Sequence, residues 1–214
     1  MFRNLRNDKM YREGREVLTE SGRPVDARDV RTIRAIGKKT AYGQQVAHTS
    51  WLMHEFNAMR DLYQAGADVP EPIAAAENAI LMTYIGGDHM PAPPLHTVEL
   101  HQDEVQPLFE TTLRNIKIML EHGMIHGDLS EYNILYWEGN ITLIDFPQVV
   151  EVETNPHARS ILKRDIVRVC QYFNQFGLGA DADEIHESLW TEYGVEDDPD
   201  FIYELEESDE FDDT

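Results

Sequence analysis

His126-Gly127-Asp128-Leu129-Ser130-Glu131-Tyr132-Asn133-Ile134-Leu135, with Ile144-Asp145-Phe146-Pro147 after it, is the stretch on which the reading of this chain turns. Four residues separate Asp128 from Asn133. Past Asn133, Ile134–Trp137 and Ile141–Ile144 read as two apolar strands joined by Glu138-Gly139-Asn140, a turn sequence. Such a hairpin returns the chain to its starting point, so Asp145 is expected back beside Asn133. Three oxygen-bearing side chains, Asp128, Asn133 and Asp145, are thereby expected in one place.

Kinase-type phosphotransferases space an Asp, an Asn and a second Asp in this way: the first accepts the acceptor hydroxyl's proton and the others hold metal. A triphosphate carries several negative charges, so moving its terminal group requires divalent ions on oxygen ligands with room left for phosphate oxygens. Without metal, Asp128 and Asp145 are expected to repel one another and raise one pKa. An isolated His-Gly-Asp tripeptide is weak evidence, and His126 by itself reads as a hydrogen-bonded structural histidine. The full constellation is far more specific.

At these residues the chain resembles the RIO family of atypical protein kinases, over roughly residues 1 to 177. The resemblance includes Ile80-Leu81-Met82-Thr83-Tyr84-Ile85-Gly86 as the hinge strand, Asp88-His89-Met90-Pro91-Ala92-Pro93 just after it, and Ile144-Asp145-Phe146-Pro147-Gln148 in place of the usual DFG; the Met-Pro-Ala-Pro segment is the discriminating element. It implies an α+β, protein-kinase-like two-lobed fold with a truncated small N-lobe and a compact, mainly helical C-lobe. It also implies a serine/threonine kinase or ATPase using ATP and Mg²⁺ (or Mn²⁺), linked to maturation of the small ribosomal subunit. By the same resemblance Asp128 is the catalytic base, Asn133 and Asp145 are the metal ligands, and Asp145 can become transiently phosphorylated. Met82, Thr83 and Ile85 would surround adenine. Glu55 would be the regulatory-helix Glu that pairs with a nucleotide-binding Lys, His126 would support the loop, and Asp165 would brace its backbone.

Composition bounds the setting. The 214 residues are 42% hydrophobic, enough to bury a core of one domain or two small lobes. No apolar N-terminal run exists, nor any apolar stretch of about 18 residues, so a cytoplasmic rather than secreted or membrane protein is expected. The single cysteine, Cys170, has no partner for an internal disulfide and reads as core. Forty acidic residues against 18 basic give a net charge of −22, and Glu196–Thr214 alone holds eleven acids and no Lys or Arg. With five lysines against thirteen arginines, this points to a protein of salty cytoplasm, where the Debye length shrinks to about 3 Å at 1 M. An ordinary protein with an acidic tail is the alternative. Neither surface attracts nucleic acid in general, so contact with ribosomal particles or proteins must be local or salt-supported.

The organisation expected is a partial N-lobe over 1–85, a C-lobe over 86–195 and an acidic disordered tail over 196–214. The basic cluster Arg23, Arg28, Arg31, Arg34, Lys38 and Lys39 reads as a solvated helix face or a phosphate or RNA contact. Leu52, Phe56, Met59 and Tyr63 recur at helical spacing over about Gln44–Gln64, with Gly66 at the C-terminal cap. Pro72–Ala75 and Ala79–Ile85 read as strands with a turn at Glu77-Asn78, and Gly86-Gly87 as the hinge. Helices are expected at about Val105–His122, with Pro107 in its first turn, at His157–Phe176 and at Asp183–Tyr193.

Two absences stand out. Only about a dozen residues lie between Asp145 and the next helix, too few for the activation segment of ordinary protein kinases. Before Glu55 there is no Gly-rich strand pair and no apolar strand ending in Lys. In the family, a segment resembling Met1-Phe2-Arg3-Asn4-Leu5-Arg6 follows that strand, so a front truncation and weak activity are expected. Two alternatives remain: a small-molecule kinase of the aminoglycoside or choline type, and a non-catalytic pseudokinase scaffold.

Overall fold

The computed structural model describes residues 10–195 apart from 12, 27 and 77. The readings made for the start of the chain, for Glu77 and for the acidic tail fall outside the described residues.

Helices α1 (Val30–Gly37) and α2 (Ala41–Gln64) pack on one another across a sharp connection. Thr40 caps α2 by accepting the Gly43 N–H at 3.1 Å. A Cβ on Gly43 would lie 2.1 Å from the Ala35 carbonyl oxygen, so this glycine permits the close approach. At the other end Gly66 adopts φ +82°. Its N–H bonds Tyr63 O, and that of Ala67 bonds Leu62 O, the paired bonds of a Schellman ending. The buried face of α2 carries Leu52, Met53, Met59 and Leu62; Tyr63, expected inside, is exposed. Leu62, its neighbour, is buried instead, in one cluster with Ala67 and Val69.

Strands β1 (Pro72–Ala76) and β2 (Ala79–Met82) form an antiparallel hairpin with a register shift between Pro72 and Ala74. The second strand ends at Met82, three residues short of the expected Ile85. The chain then makes a tight turn, with Gly86 at φ +139° bridged to Pro91 and a Gly87 N–H to Met90 O bond. A short 3-10 turn (Leu95–Thr97) leads to α3 (Gln102–Glu121). This helix starts three residues before Val105, because Glu104 reaches back to the His101 N–H at 2.9 Å and caps it there. Pro107 therefore lies inside the second turn rather than the first.

Two small ribbons follow. Strand β3 (Met124–Ile125) pairs antiparallel with β6 (Val150–Glu151), and β4 (Ile134–Trp137) with β5 (Asn140–Leu143). The β4–β5 connection has two residues, Glu138 at φ +48° and Gly139 at φ +80°. That is the turn type whose twist matches a hairpin. Helices α4 (Ala158–Asn174) and α5 (Ala182–Tyr193) complete the lobe, the latter capped by Asp181 accepting from Asp183 and Glu184 N–H.

The core gathers α3, α4 and the ribbons around Leu95, Met119, Leu129, Phe146, Ile166 and Phe173. Phe109 and Phe173 meet edge-on at 5.4 Å. Each such side chain contributes roughly 1.5–3 kcal/mol on burial, and together they fix the ends of both ribbons between which the loop 126–133 is suspended. Met10, Tyr11 and Glu13 meet this helical lobe despite their early position in the chain. Asn155 Nδ2 donates to Met10 O and Glu13 O at 2.8 and 3.2 Å, and Tyr11 is buried.

Candidate active site

Strand β3 delivers the chain into His126, which is 1% exposed and lies 4.8 Å from the Phe146 ring. Burial pushes its pKa down to about 4, so the ring is neutral near pH 7. Its Nε2 faces the Ile144 carbonyl at 3.2 Å. Since a carbonyl only accepts, Nε2 carries the proton and Nδ1 is left to accept the Asp128 N–H at 3.4 Å. His126 thus ties the 126–128 turn to the strand that leads into Asp145.

Gly127 has φ +85°, and a Cβ there would sit 2.2 Å from the Gln148 carbonyl oxygen. Its N–H donates to Asp165 Oδ2 at 2.8 Å, and its carbonyl accepts from Arg164 Nη2. Asp165, 2% exposed, has its pKa raised to about 7 by burial, against the opposing pull of Arg164 and of the Gly127 and Leu129 N–H groups. Arg164 also donates to the Tyr11 hydroxyl and lies 5.4 Å over its ring. The two consecutive α4 residues grip both polar groups of Gly127.

Asp128 projects from this turn, and its Oδ1 lies 2.6 Å from Arg168 Nη1. Asn133, 9% exposed, donates from Nδ2 to the Asp128 carbonyl at 2.8 Å. The Asn133 carbonyl in turn accepts the Ile144 N–H at 2.9 Å. Two hydrogen bonds therefore chain Asp128 to Asn133 and Asn133 to the residue preceding Asp145. Asp145 itself has φ +70°, a conformation uncommon for a side-chain-bearing residue.

Glu55 reaches the same place from α2. Its pKa is raised to about 7 by burial and then by the charge of Asp145, offset in part by a hydrogen bond from the Phe146 backbone. It is not a surface glutamate. The charge of Asp145 thus acts on Glu55, while Asp128 faces Arg168. Arg15 donates to the Pro147 and Val149 carbonyls, holding the segment just after Asp145.

Just past β2, Thr83 donates its N–H to Glu71 O and accepts the Glu71 N–H on Oγ1, both at 2.9 Å. Ile85 accepts the Ala92 N–H at 2.9 Å. These bonds use neither the Thr83 carbonyl nor the Ile85 N–H. Met82 is half-buried against the core. Sequence reasoning missed Arg15, Tyr11, Arg164 and Arg168. For the last two a signal was present: on α4 Arg168 lies four residues after Arg164 and three after Asp165, the spacings that bring helix side chains together.

Among the described residues no cluster of three or more His, Cys, Asp or Glu suits a metal ion, and no helix is long and apolar enough to cross a membrane. The RIO domain model matches residues 8–185. The RIO-type serine/threonine-protein kinase Rio1 of Haloferax volcanii is 32% identical over 151 residues, covering 71% of this chain and 51% of that protein. The Thermoplasma acidophilum Rio1 is 33% identical over 139 residues, 65% of this chain and 72% of that one. The Rio2 kinase of Methanocaldococcus jannaschii is 34% identical over 154 residues, 68% and 56% respectively. The chain thus spans about half the length of the Haloferax relative. With the mixed α and β architecture that these ribbons and helices display, the chain belongs to the RIO domain family and has its protein-kinase-like fold.

Proposed function

We propose that this chain is the ATP-dependent phosphotransferase unit of a RIO-type serine/threonine kinase or ATPase. The observation that supports the reading is the pair of hydrogen bonds from Asn133 Nδ2 to the Asp128 carbonyl and from the Ile144 N–H to the Asn133 carbonyl, which brings Asp128, Asn133 and the residue before Asp145 together. In the proposed reaction, an acceptor hydroxyl attacks the γ-phosphorus of ATP, its proton passes to Asp128, and ADP leaves. The His126 and Asp165 bonds hold the 126–128 backbone so that Asp128 presents its carboxylate rather than searching for it. Thr83 O and Ile85 N–H are the proposed partners for the polar edge of adenine, with Met82 limiting its depth.

Asn133 and Asp145 would hold the metal. The site suits a cation, because Glu55 and Asp145 are two acids close enough for one to raise the other's pKa. Two protein oxygens with the rest of the coordination supplied by water and phosphate is what Mg²⁺ demands; when bound, it neutralises charge developing on the phosphates. We propose weak turnover, because the sequence before Glu55 holds no Gly-rich strand pair and no apolar strand ending in Lys. From the resemblance, its work is linked to maturation of the small ribosomal subunit in the cytoplasm, and the acidic composition points to a cell of high internal salt.

The test is ATP turnover with and without ribosomal particles, read as ADP formed and phosphate transferred. Asp128→Asn should abolish Mg²⁺-dependent turnover while leaving the fold intact. Turnover unchanged in that variant would remove Asp128 from the chemistry, and turnover stimulated by aminoglycosides instead of particles would assign the acceptor to the small-molecule class.

A further inference from the structure

Arg15 and His54 take no part in the proposed proton transfer, yet together they tie α2 to the segment that follows Asp145. Arg15 is half-buried. Its Nη1 and Nη2 each donate to the Pro147 carbonyl at 3.1 Å, and Nη2 donates to the Val149 carbonyl as well. One planar fork thus spans the turn after Asp145, which the Val149 N–H closes on the Phe146 carbonyl at 3.2 Å. The next residue along is held from α2, where His54 Nε2 donates to the Glu16 carbonyl at 2.7 Å. A carbonyl only accepts, so Nε2 keeps its proton whether the ring is neutral or charged. His54 adjoins Glu55, and Glu55 accepts the Phe146 N–H. These links form a closed ring: His54 to Glu16, along the chain to Arg15, across to Pro147 and Val149, back to Phe146, and so to Glu55. Both flanks of the ring are pinned. Gly14, at φ +81°, passes so close to Thr154 that a Cβ would lie 2.4 Å from its carbonyl oxygen, and the Leu18 N–H donates to the Ser50 Oγ on α2 at 2.9 Å.

We infer that Arg15 and His54 are positioning residues for the metal site, a brace that makes α2 and the Asp145 segment move as one body. The inference rests on the proposed reading of Asp145 as a metal ligand and adds to it what holds that ligand in place. Asp145 sits at φ +70°, a conformation that persists only where its surroundings fix it. Its neighbour Phe146 is fixed twice, at its N–H by Glu55 and at its carbonyl by the Val149 N–H, within the turn that Arg15 grips. The Asp145 carboxylate therefore keeps its place beside Glu55 only while the ring is closed. The two joints act in series. Opening either one frees the segment, so opening both adds little. The acceptors at both joints are carbonyl dipoles, so the brace outlasts the salt that screens exposed ion pairs.

The experiment is native-state hydrogen exchange by NMR on the full chain, beside calorimetric titration of ATP over a range of Mg²⁺. R15M and H54A each remove the donors of one joint. Each is expected to speed exchange of the Phe146 and Val149 amides, and to raise the Mg²⁺ needed for half-maximal ATP binding, by about tenfold. The Gly127 amide, held by Asp165, and the ATP affinity at saturating Mg²⁺ should stay within about twofold of the parent. R15M/H54A should match the larger single effect, whereas independent contacts would multiply to about a hundredfold. R15K, which keeps the charge without the fork, and H54Q, which keeps a donor, should fall between the parent and the first pair. Their double variant repeats the comparison should the first pair lose the fold. Unchanged exchange at Phe146, an unchanged Mg²⁺ requirement, equal acceleration at Gly127 or a multiplied double effect would overturn the inference. A parent that binds ATP without Mg²⁺, or not at all, would instead overturn the metal reading, and the exchange data would still decide the brace.

Discussion

Arg168 holds Asp128: the guanidinium Nη1 lies 2.6 Å from Oδ1, both side chains being 38% exposed. The pair fixes the carboxylate's rotamer at the point where an acceptor hydroxyl would approach, and it does so from α4, the helix that also grips Gly127. An ion pair this exposed adds little to stability, so its consequence is positional. Arg168→Gln is expected to leave the melting temperature within a few degrees and to lower kcat about tenfold with little change in KM for ATP, with Arg168→Lys between the two. Steady-state kinetics beside thermal melts checks this; equal losses in kcat and stability would mean that the residue is merely structural.

The grip on Gly127 should be far more costly to lose. Gly127→Ala places a Cβ against the Gln148 carbonyl in a left-handed conformation. Asp165→Ala strands the buried Gly127 and Leu129 N–H groups and leaves the Arg164 guanidinium without its carboxylate. Each change is expected to destabilise the fold by about 3–5 kcal/mol, measured by urea unfolding. A loss under 1 kcal/mol for Asp165→Ala would show that the loop backbone does not depend on α4.

Glu55 gives the site a defined pH dependence. Its carboxyl is raised from 4.5 to about 7, so between those values the folded protein keeps a proton that the unfolded chain releases. The associated stability is full below about pH 4.5 and is lost as pH rises through 7. At about 1.4 kcal/mol per unit, the loss is on the order of 3–4 kcal/mol. Asp165, raised from 3.8 to about 7, adds a decline of the same sign. Glu55→Gln keeps an acceptor for the Phe146 N–H and should therefore be more stable than the parent at pH 8 and indistinguishable from it at pH 4. Denaturant melts at the two pH values decide the matter; a variant less stable at pH 8 would refute the assignment.

Much of this site was legible because its parts are local. The β4–β5 hairpin declares itself through apolar runs around Glu138-Gly139, and closing it leaves Asp145 no position but next to Asn133. Helix α2 was legible from Gln44 to the Gly66 stop, but it begins earlier, at Ala41, under the Thr40 cap. Local rules failed where two signals competed. Pro107 argued for a late start to α3, yet the His101–Glu104 cap set an earlier one and the helix absorbed the proline. Tyr63 and Leu62 are adjacent and both apolar, and only the packing of the Schellman turn chooses between them. The links from Arg15 to Pro147 and Val149, and from Tyr11 to Arg164, join residues more than 130 positions apart. No periodicity encodes such contacts. Glu55 was found by resemblance; its neighbours Asp145 and Phe146, which raise and steady it, come from the tertiary fold.

The most direct test of the account is calorimetric titration of ATP into the protein with Mg²⁺, with EDTA, and with Mg²⁺ in the Asp145→Asn and Asn133→Ala variants. The account predicts binding that requires the cation and weakens at least tenfold, about 1.4 kcal/mol, in each variant. Affinity that is the same in EDTA, or unaltered when both residue 133 and residue 145 are replaced, would contradict it.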